Sequence, residues 1–399
     1  MKNIYEIEDE LKEQFKRIDE IAFVNQKRVL EAFKQANVCT NHFAGTTGYG
    51  YSDIGKEKLC EVFANFFGTD TAIVSPLLTC ATHAITVALM GLLRPHDVMF
   101  SITGKPYDTL DDVIFKENNG GFKDFLIEYK EANIFKQDFS EIEKQLLEVK
   151  PKVIFIQRSR GYNWSSGLSC EQILKLTQKL KKLLPNSYIF LDNCYGEMTY
   201  DYEPTKYIDV CVGSLIKNAG GGIAQTGAYI AGTYDAIDKI STRFTSPALK
   251  TETGSYEMGY RIFFEGFFLA PQVVKNALKG AMLIGEVLNQ KGYEVLPKSN
   301  EKPNDVVKSI LFNSPEKLIA FVQLIQKNSP VDSTFLPQPS DMQGYDDKII
   351  MASGSFVSGS SIELSCDAPI KPPYIAYFQG GLTYEHCKIV AEKILDSFK

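Results

Sequence analysis

Two stretches decide the reading: Tyr188-Ile-Phe-Leu-Asp192-Asn-Cys-Tyr-Gly-Glu197, and Val210-Cys-Val-Gly-Ser214-Leu-Ile-Lys217-Asn-Ala-Gly220-Gly-Gly222. Each is a short apolar run that ends on a polar residue. Runs of this length, placed between helical patterns, predict strands of a mainly parallel sheet covered on both faces. In such a sheet ligands bind at the carboxyl ends of the strands. Asp192 and Lys217 are one strand-to-strand connection apart, so they can project into one crevice.

The pattern extends in both directions. Strands are predicted at 72–75, 98–102, 153–156, 188–192, 210–214 and 227–231, and helices at 56–67, 81–93 and 170–184, the last opening on a Ser169/Gln172 capping box. A helix over 6–37 carries Leu11, Phe15, Ile18 and Ala22 on one face, and the glycines of Asn41–Tyr51 forbid a regular element there. After about residue 255 the pattern changes. A long apolar helix near 262–290 leads to a helix at 315–327, strand-like segments near 348–366 and 374–378, and a last helix at 383–398. These shifts divide the chain into an N-terminal helical arm (1–45), a large α/β domain (46–255) and a connecting helix with a small C-terminal α+β domain (256–399).

Composition narrows the function classes. The chain has 399 residues, 44% of them hydrophobic and 23% charged, with a net charge of −6 and no long basic run. That balance argues against nucleic acid as a partner. The apolar run Ala84–Leu93 falls well short of the roughly 20 residues of a membrane span, and MKNIYEIEDELKEQ is polar and acidic, unlike a secretory signal. Eight cysteines are dispersed without a CxxC pair, and there is no HExxH. The expectation is reduced thiols, a cytoplasmic protein, no membrane and no metal.

A lysine and a carboxylate at the ends of nearby strands suit pyridoxal 5'-phosphate (PLP). The cofactor needs an amine to form its Schiff base, and a carboxylate to keep its ring nitrogen protonated so that the ring accepts electrons. Either residue alone has an ordinary reading, Asp192 as a cap and Lys217 as a loop lysine. The triple glycine lacks the spacing of a Walker loop.

The stretches HFAGTTGYGYSDIGKEKL, SITGKPYDTLDDVI, IQRSRGYNW, LDNCYGE, GSLIKNAGGGIAQTGAYIAG and SGSFVSGSSIELSCDAPIKPPYIAYFQGGLTYEH resemble the methionine gamma-lyase-like family of aluminium resistance proteins. These are relatives of cystathionine beta-lyase among the fold type I PLP enzymes. The resemblance implies a mainly parallel seven-stranded sheet with helices on both faces and a smaller C-terminal α+β domain. It makes Lys217 the Schiff-base lysine and catalytic base, and gives Asp192 to the ring nitrogen. Ser214 and the turn Cys80-Ala81-Thr82 go to the phosphate, and Tyr107 stacks on the ring and assists proton movement. Tyr49 and Tyr51 form an arm reaching into a neighbouring subunit's site, which implies a homodimer or homotetramer with shared active sites. Arg158 and Arg160, just after the strand 153–156, are candidates to clamp a substrate carboxylate or the phosphate, and Lys371 is a further substrate-binding candidate. Lys371 stands where relatives carry arginine, Ala81 where they carry glycine and Ser75 where they carry arginine. His42 and His83 lie near these turns as weaker candidates.

The implied activity is carbon–sulfur elimination, β or γ, on a sulfur-containing amino acid. Transamination, decarboxylation, aldol cleavage, or PLP binding without turnover in a stress or regulatory role stay open, because a fold does not choose among them.

Overall fold

The computed structural model describes residues 2–342 and 345–398. It opens on α1 (Ile4–Glu10), started by a capping box between Asn3 and Glu6, and α2 (Lys12–Gln35). The break at Leu11 divides the single helix expected over 6–37. The chain then runs through α3 (Ile54–Phe67), β1 (Thr71–Ser75), α4 (Ala81–Leu92), β2 (Val98–Ser101), α5 (Asp111–Phe115), β3 (Glu128–Glu131), α6 (Phe139–Val149) and β4 (Val153–Gln157). Next come α7 (Cys170–Leu183), β5 (Tyr188–Asp192), β6 (Val210–Ser214), β7 (Ala228–Gly232) and α8 (Tyr234–Phe244). The Ser169/Gln172 capping box is present at the start of α7.

Seven strands form one sheet in the order β1-β7-β6-β5-β4-β2-β3. It is parallel from β6 to β3, while β7 runs antiparallel to both its neighbours. Every residue of β6 and β7 is buried, as befits strands covered on both faces. One apolar layer, with α4 and α8, lies on one face; the other, with α2, α3 and α9 (Arg261–Gln290), lies on the opposite face. The sequence reading missed β3. Its residues, Glu-Tyr-Lys-Glu, are charged and mostly exposed, because an edge strand needs no apolar pattern and charges there discourage pairing with other chains.

Beyond α9 the chain forms β8 (Glu294–Leu296), β9 (Lys308–Leu311), α10 (Pro315–Lys327), β10 (Ile349–Ala352), β11 (Ser365–Pro369), β12 (Ile375–Gln379) and α11 (Tyr384–Ser397). The five strands make an antiparallel sheet ordered β10-β11-β12-β9-β8. The strand-like character expected across 348–366 is confined to its two ends. Residues 353–364 loop back toward the large sheet, where Ile362 N–H donates to the Ile216 carbonyl at 3.0 Å.

The turn after Lys217 depends on close backbone packing. Gly221 and Gly222 adopt φ of 55° and 71°, the left-handed region that favours glycine. A methyl group on Gly266 of α9 would stand 2.3 Å from the Gly220 carbonyl oxygen. Alanine normally improves a helix interior by up to about 1 kcal/mol over glycine. Gly266→Ala is nevertheless expected to destabilise the protein, by about 1–3 kcal/mol, because it overpacks this contact. Urea denaturation checks the sign, and a stabilised variant would refute the packing argument.

Candidate active site

The carboxyl ends of β4, β5 and β6 open into a cleft of about 260 Å³. Its far wall comes from the small domain, through Val307, Tyr345, Ser360, Asp367, Tyr377 and Gln379.

Lys217 follows the last residue of β6 by one turn. Its Nζ donates to the Tyr195 hydroxyl at 2.6 Å and to the Ser360 carbonyl at 2.5 Å. Burial pulls the amine's pKa down, but the charge and hydrogen bond of Tyr195, with Cys194 and Asp367, more than offset this and raise it. Asp192 ends β5, is buried, and accepts from the Cys194 N–H at 3.1 Å. No ion pair to Asp192 forms among the described residues, and burial holds its carboxyl above the usual range against the opposing charge of Lys217.

The opposite lip is the start of α4. The Cys80 thiol accepts from the His83 N–H at 3.4 Å, while the N–H groups of the first turn have no carbonyl within the helix to reach. The Thr82 hydroxyl shares hydrogen bonds of 2.9 Å with Tyr107 and with Thr109. Tyr107 is fixed from behind, its N–H donating to Gln157 Oε1 at 2.9 Å. Burial, and then the charge of Asp192, push its phenol well above the ordinary range.

The structure thus brings Lys217, Asp192, Ser214, Cys80, Ala81, Thr82 and Tyr107 to one cleft. It does not bring the other candidates there. Arg158 is fully buried behind the strand ends. Its guanidinium donates to Asn193 at 2.6 Å and to Thr199 at 3.1 Å, and pairs with Glu203 at 3.4 Å. Arg160 pairs with Asp305 at 3.0 Å and donates to the Leu296 carbonyl at 2.7 Å. Neither guanidinium lines the cleft, so the expected clamp on a substrate carboxylate is corrected to two buried structural networks. Lys371 also stays outside, in an ion pair of 2.6 Å with Asp347. His42 and His83 do not line the cleft; their Nδ1 atoms accept from the Cys39 and Thr79 N–H groups at 3.0 and 3.2 Å. Ser75 is buried, its hydroxyl accepting from the Leu77 N–H at 3.1 Å. Tyr49 and Tyr51 stack on one another, ring centroids 5.3 Å apart, and are 63% and 59% exposed, away from this chain's own cleft.

Sequence reasoning missed Gln157, Tyr162, Tyr195, Ser360, Asp367 and Gln379. Two left signals. Gln157 is itself the strand-end residue of β4, one position before the arginine chosen instead. Tyr195 lies inside the quoted LDNCYGE stretch. The others come from the small domain or from the loop after β4, where nothing in the sequence states a distance to Lys217.

The comparisons bear on this geometry. The family model described as methionine gamma-lyase matches residues 1–399. The chain belongs to the methionine gamma-lyase family. A Bacillus subtilis relative, YnbB, is 42% identical over 99% of this chain and 96% of its own. A Clostridium novyi structure of a carbon-sulfur lyase involved in aluminium resistance is 44% identical, with a TM-score of 0.93 over 98% of this chain and 93% of that one. A Listeria monocytogenes structure, provisionally named as a cystathionine beta-lyase involved in aluminium resistance, is 40% identical with a TM-score of 0.96 over 99% of each chain. The PLP-dependent protein YhfS of Escherichia coli, 15% identical with a TM-score of 0.62 over 96% of this chain and 97% of that one, shares the fold. The seven-stranded sheet matches the architecture that the resemblance implied. No helix among the described residues is long and apolar enough to cross a membrane.

Removing one partner of a buried ion pair typically costs about 3–5 kcal/mol. Arg158→Met is expected to lower the thermal midpoint by several degrees and leave the KM of the folded fraction within about threefold of wild type. A raised KM with an unchanged midpoint would restore Arg158 as a substrate clamp.

Proposed function

We propose that this protein is a PLP-dependent carbon–sulfur lyase that eliminates a thiol from a sulfur-containing amino acid. One observation carries the reading: a half-buried amine and a buried carboxylate that has no ion-pair partner among the described residues, at the ends of neighbouring parallel strands, face one cleft with the start of α4. Family membership and the Clostridium novyi lyase support it.

The residues fit the cofactor. Lys217 would hold it through its amine. The Asp192 carboxylate would meet the ring nitrogen, supplying the opposite charge it lacks in this chain. The first-turn N–H groups of α4 and the Ser214 hydroxyl suit a phosphate dianion, and Tyr107 would cover the ring. When bound, PLP supplies an electron sink for negative charge at the substrate Cα. The proton steps fall to the chain. The Lys217 amine is placed to accept the Cα proton. The Tyr195 hydroxyl orients that amine, and Tyr107 is placed to pass a proton toward the departing sulfur. Burial keeps both phenols protonated at neutral pH, the state in which they donate.

Purified holoenzyme given cystathionine, cysteine or methionine without a keto-acid acceptor is expected to release thiol, keto acid and ammonia over many turnovers. Borohydride should fix the chromophore on Lys217, and Lys217→Ala should lose turnover. Arrest after one turnover per site, reversed by adding a keto acid, would make the protein a transaminase instead.

The exposed Tyr49–Tyr51 pair supports a shared site in a homodimer or larger closed assembly. Mixing inactive Lys217→Ala subunits with inactive Tyr51→Ala subunits is expected to recover activity, since one site of each hybrid is intact. A monomer by light scattering would refute this.

A further inference from the structure

Besides Asp192, two acidic groups line the cleft with no role in the steps above, Asp108 and Asp367. Asp367 on β11 faces the cleft from the small domain and is 7% exposed. Its Oδ2 accepts from the Ser360 hydroxyl at 2.5 Å, while Oδ1 has no hydrogen-bond partner among the described residues. A buried carboxylate oxygen without a donor is costly, and the groups around it are aromatic. The charge of Asp367 acts on the phenols of Tyr162, Tyr195 and Tyr345. The ring of Tyr162 lies 5.8 Å from that of Tyr345 and 5.0 Å from that of Tyr377. A carboxylate beside tyrosine faces is the chemistry that receives an ammonium ion.

The charge balance points the same way. Among the described residues lining the cleft, Lys217 is the one basic side chain, against Asp108, Asp192 and Asp367. With Lys217 committed to the cofactor and Asp192 to its ring, Asp367 has no counter-charge. Burial lifts its carboxyl above the usual range and the Lys217 charge opposes that rise, so a docking cation favours the ionised form.

We propose that Asp367 selects substrates whose leaving group carries an ammonium, which makes the preferred class the S-aminoalkyl thioethers of cysteine. The inference rests on the lyase reading for its chemistry, though not for its binding site. In the reaction Lys217 takes the Cα proton, and the C–H electron pair becomes the Cα–Cβ double bond. The Cβ–S bond breaks with its electron pair on sulfur, which takes up a proton and leaves as the aminoalkyl thiol. Water hydrolyses the remaining enamine to keto acid and ammonium, so no oxidant or reductant is needed.

The test compares S-(2-aminoethyl)-cysteine with S-propyl-cysteine, which has the same chain length and no charge. A hydrogen bond to a charged group in a buried site is worth about 10- to 100-fold, so wild-type kcat/KM should favour the amine by that factor. In Asp367→Asn the ratio should fall to within about threefold of unity. Calorimetry supplies a readout without C–S cleavage: the holoenzyme should bind L-lysine more tightly than 2-aminoheptanoic acid, and Asp367→Asn should erase the difference. Equal or better use of S-propyl-cysteine by wild type overturns the inference and leaves the lyase reading intact, and this result needs no variant to fold. A preference that survives in folded Asp367→Asn overturns the role of Asp367. Tight L-lysine binding through Asp367 with no thiol released from any thioether overturns the lyase reading and keeps the ammonium site.

Discussion

Taking ionisable groups out of water is the constraint around which this molecule is organised. Among the described residues one lysine and three aspartates line the cleft, and behind it lie the buried Arg158, Glu197 and Glu203. Charges in such surroundings persist only when paired or hydrogen-bonded; otherwise they neutralise. Behind the strand ends both outcomes occur. Arg158 stays charged because Asn193, Thr199 and Glu203 surround its guanidinium. Burial pushes Glu197 up to about 8, so near neutral pH it is largely protonated, and its Oε1 accepts from the Tyr229 hydroxyl at 3.0 Å. Within the cleft the balance is left open. Asp192 and Asp367 have no ion pair among the described residues, which leaves each open to a charged ligand.

The backbone serves this arrangement. Parallel strands aim their carboxyl ends at one edge of the sheet, so Gln157, Asp192 and Ser214 arrive there from β4, β5 and β6 without special local geometry. The Lys217 turn needs more support. Its glycines allow α9 to press against the Gly220 carbonyl, and α9 in turn packs against α2 and α11. The loop at 353–364 closes the other side, with the Ser360 carbonyl on Lys217 and the Ser360 hydroxyl on Asp367. The amine therefore sits between the two sheets, held by a tyrosine from one and a loop from the other.

Most of the cleft wall that the large sheet provides was legible in the sequence because it is built from strand ends and a helix start. Their signals are local: a short apolar run, a polar stop, a glycine turn, a cap. Asp192, Lys217, Ser214 and Thr82 could be picked from such patterns and from resemblance. The edge strand β3 and the break at Leu11 could not, since neither changes the apolar periodicity on which the reading relies. The arginines after β4 show the limit most clearly. Arg158 and Arg160 carry the residue type a carboxylate clamp requires, yet their side chains turn toward Glu203 and Asp305, which lie 45 and 145 residues further along the chain.

The sequence by itself determined the layered α/β architecture, the strand ends that bear the amine and its companion carboxylate, and the family to which they point. These follow from hydrophobic periodicity and short-range motifs, which act over a few residues. Only the tertiary structure decided which charges are satisfied internally and which are left for a ligand. Ion pairing is settled by which side chains the packed sheets bring within about 3–4 Å of one another. That juxtaposition placed Arg158 and Arg160 in the scaffold and set Asp367, from the second sheet, in the cleft with one oxygen unpartnered among the described residues.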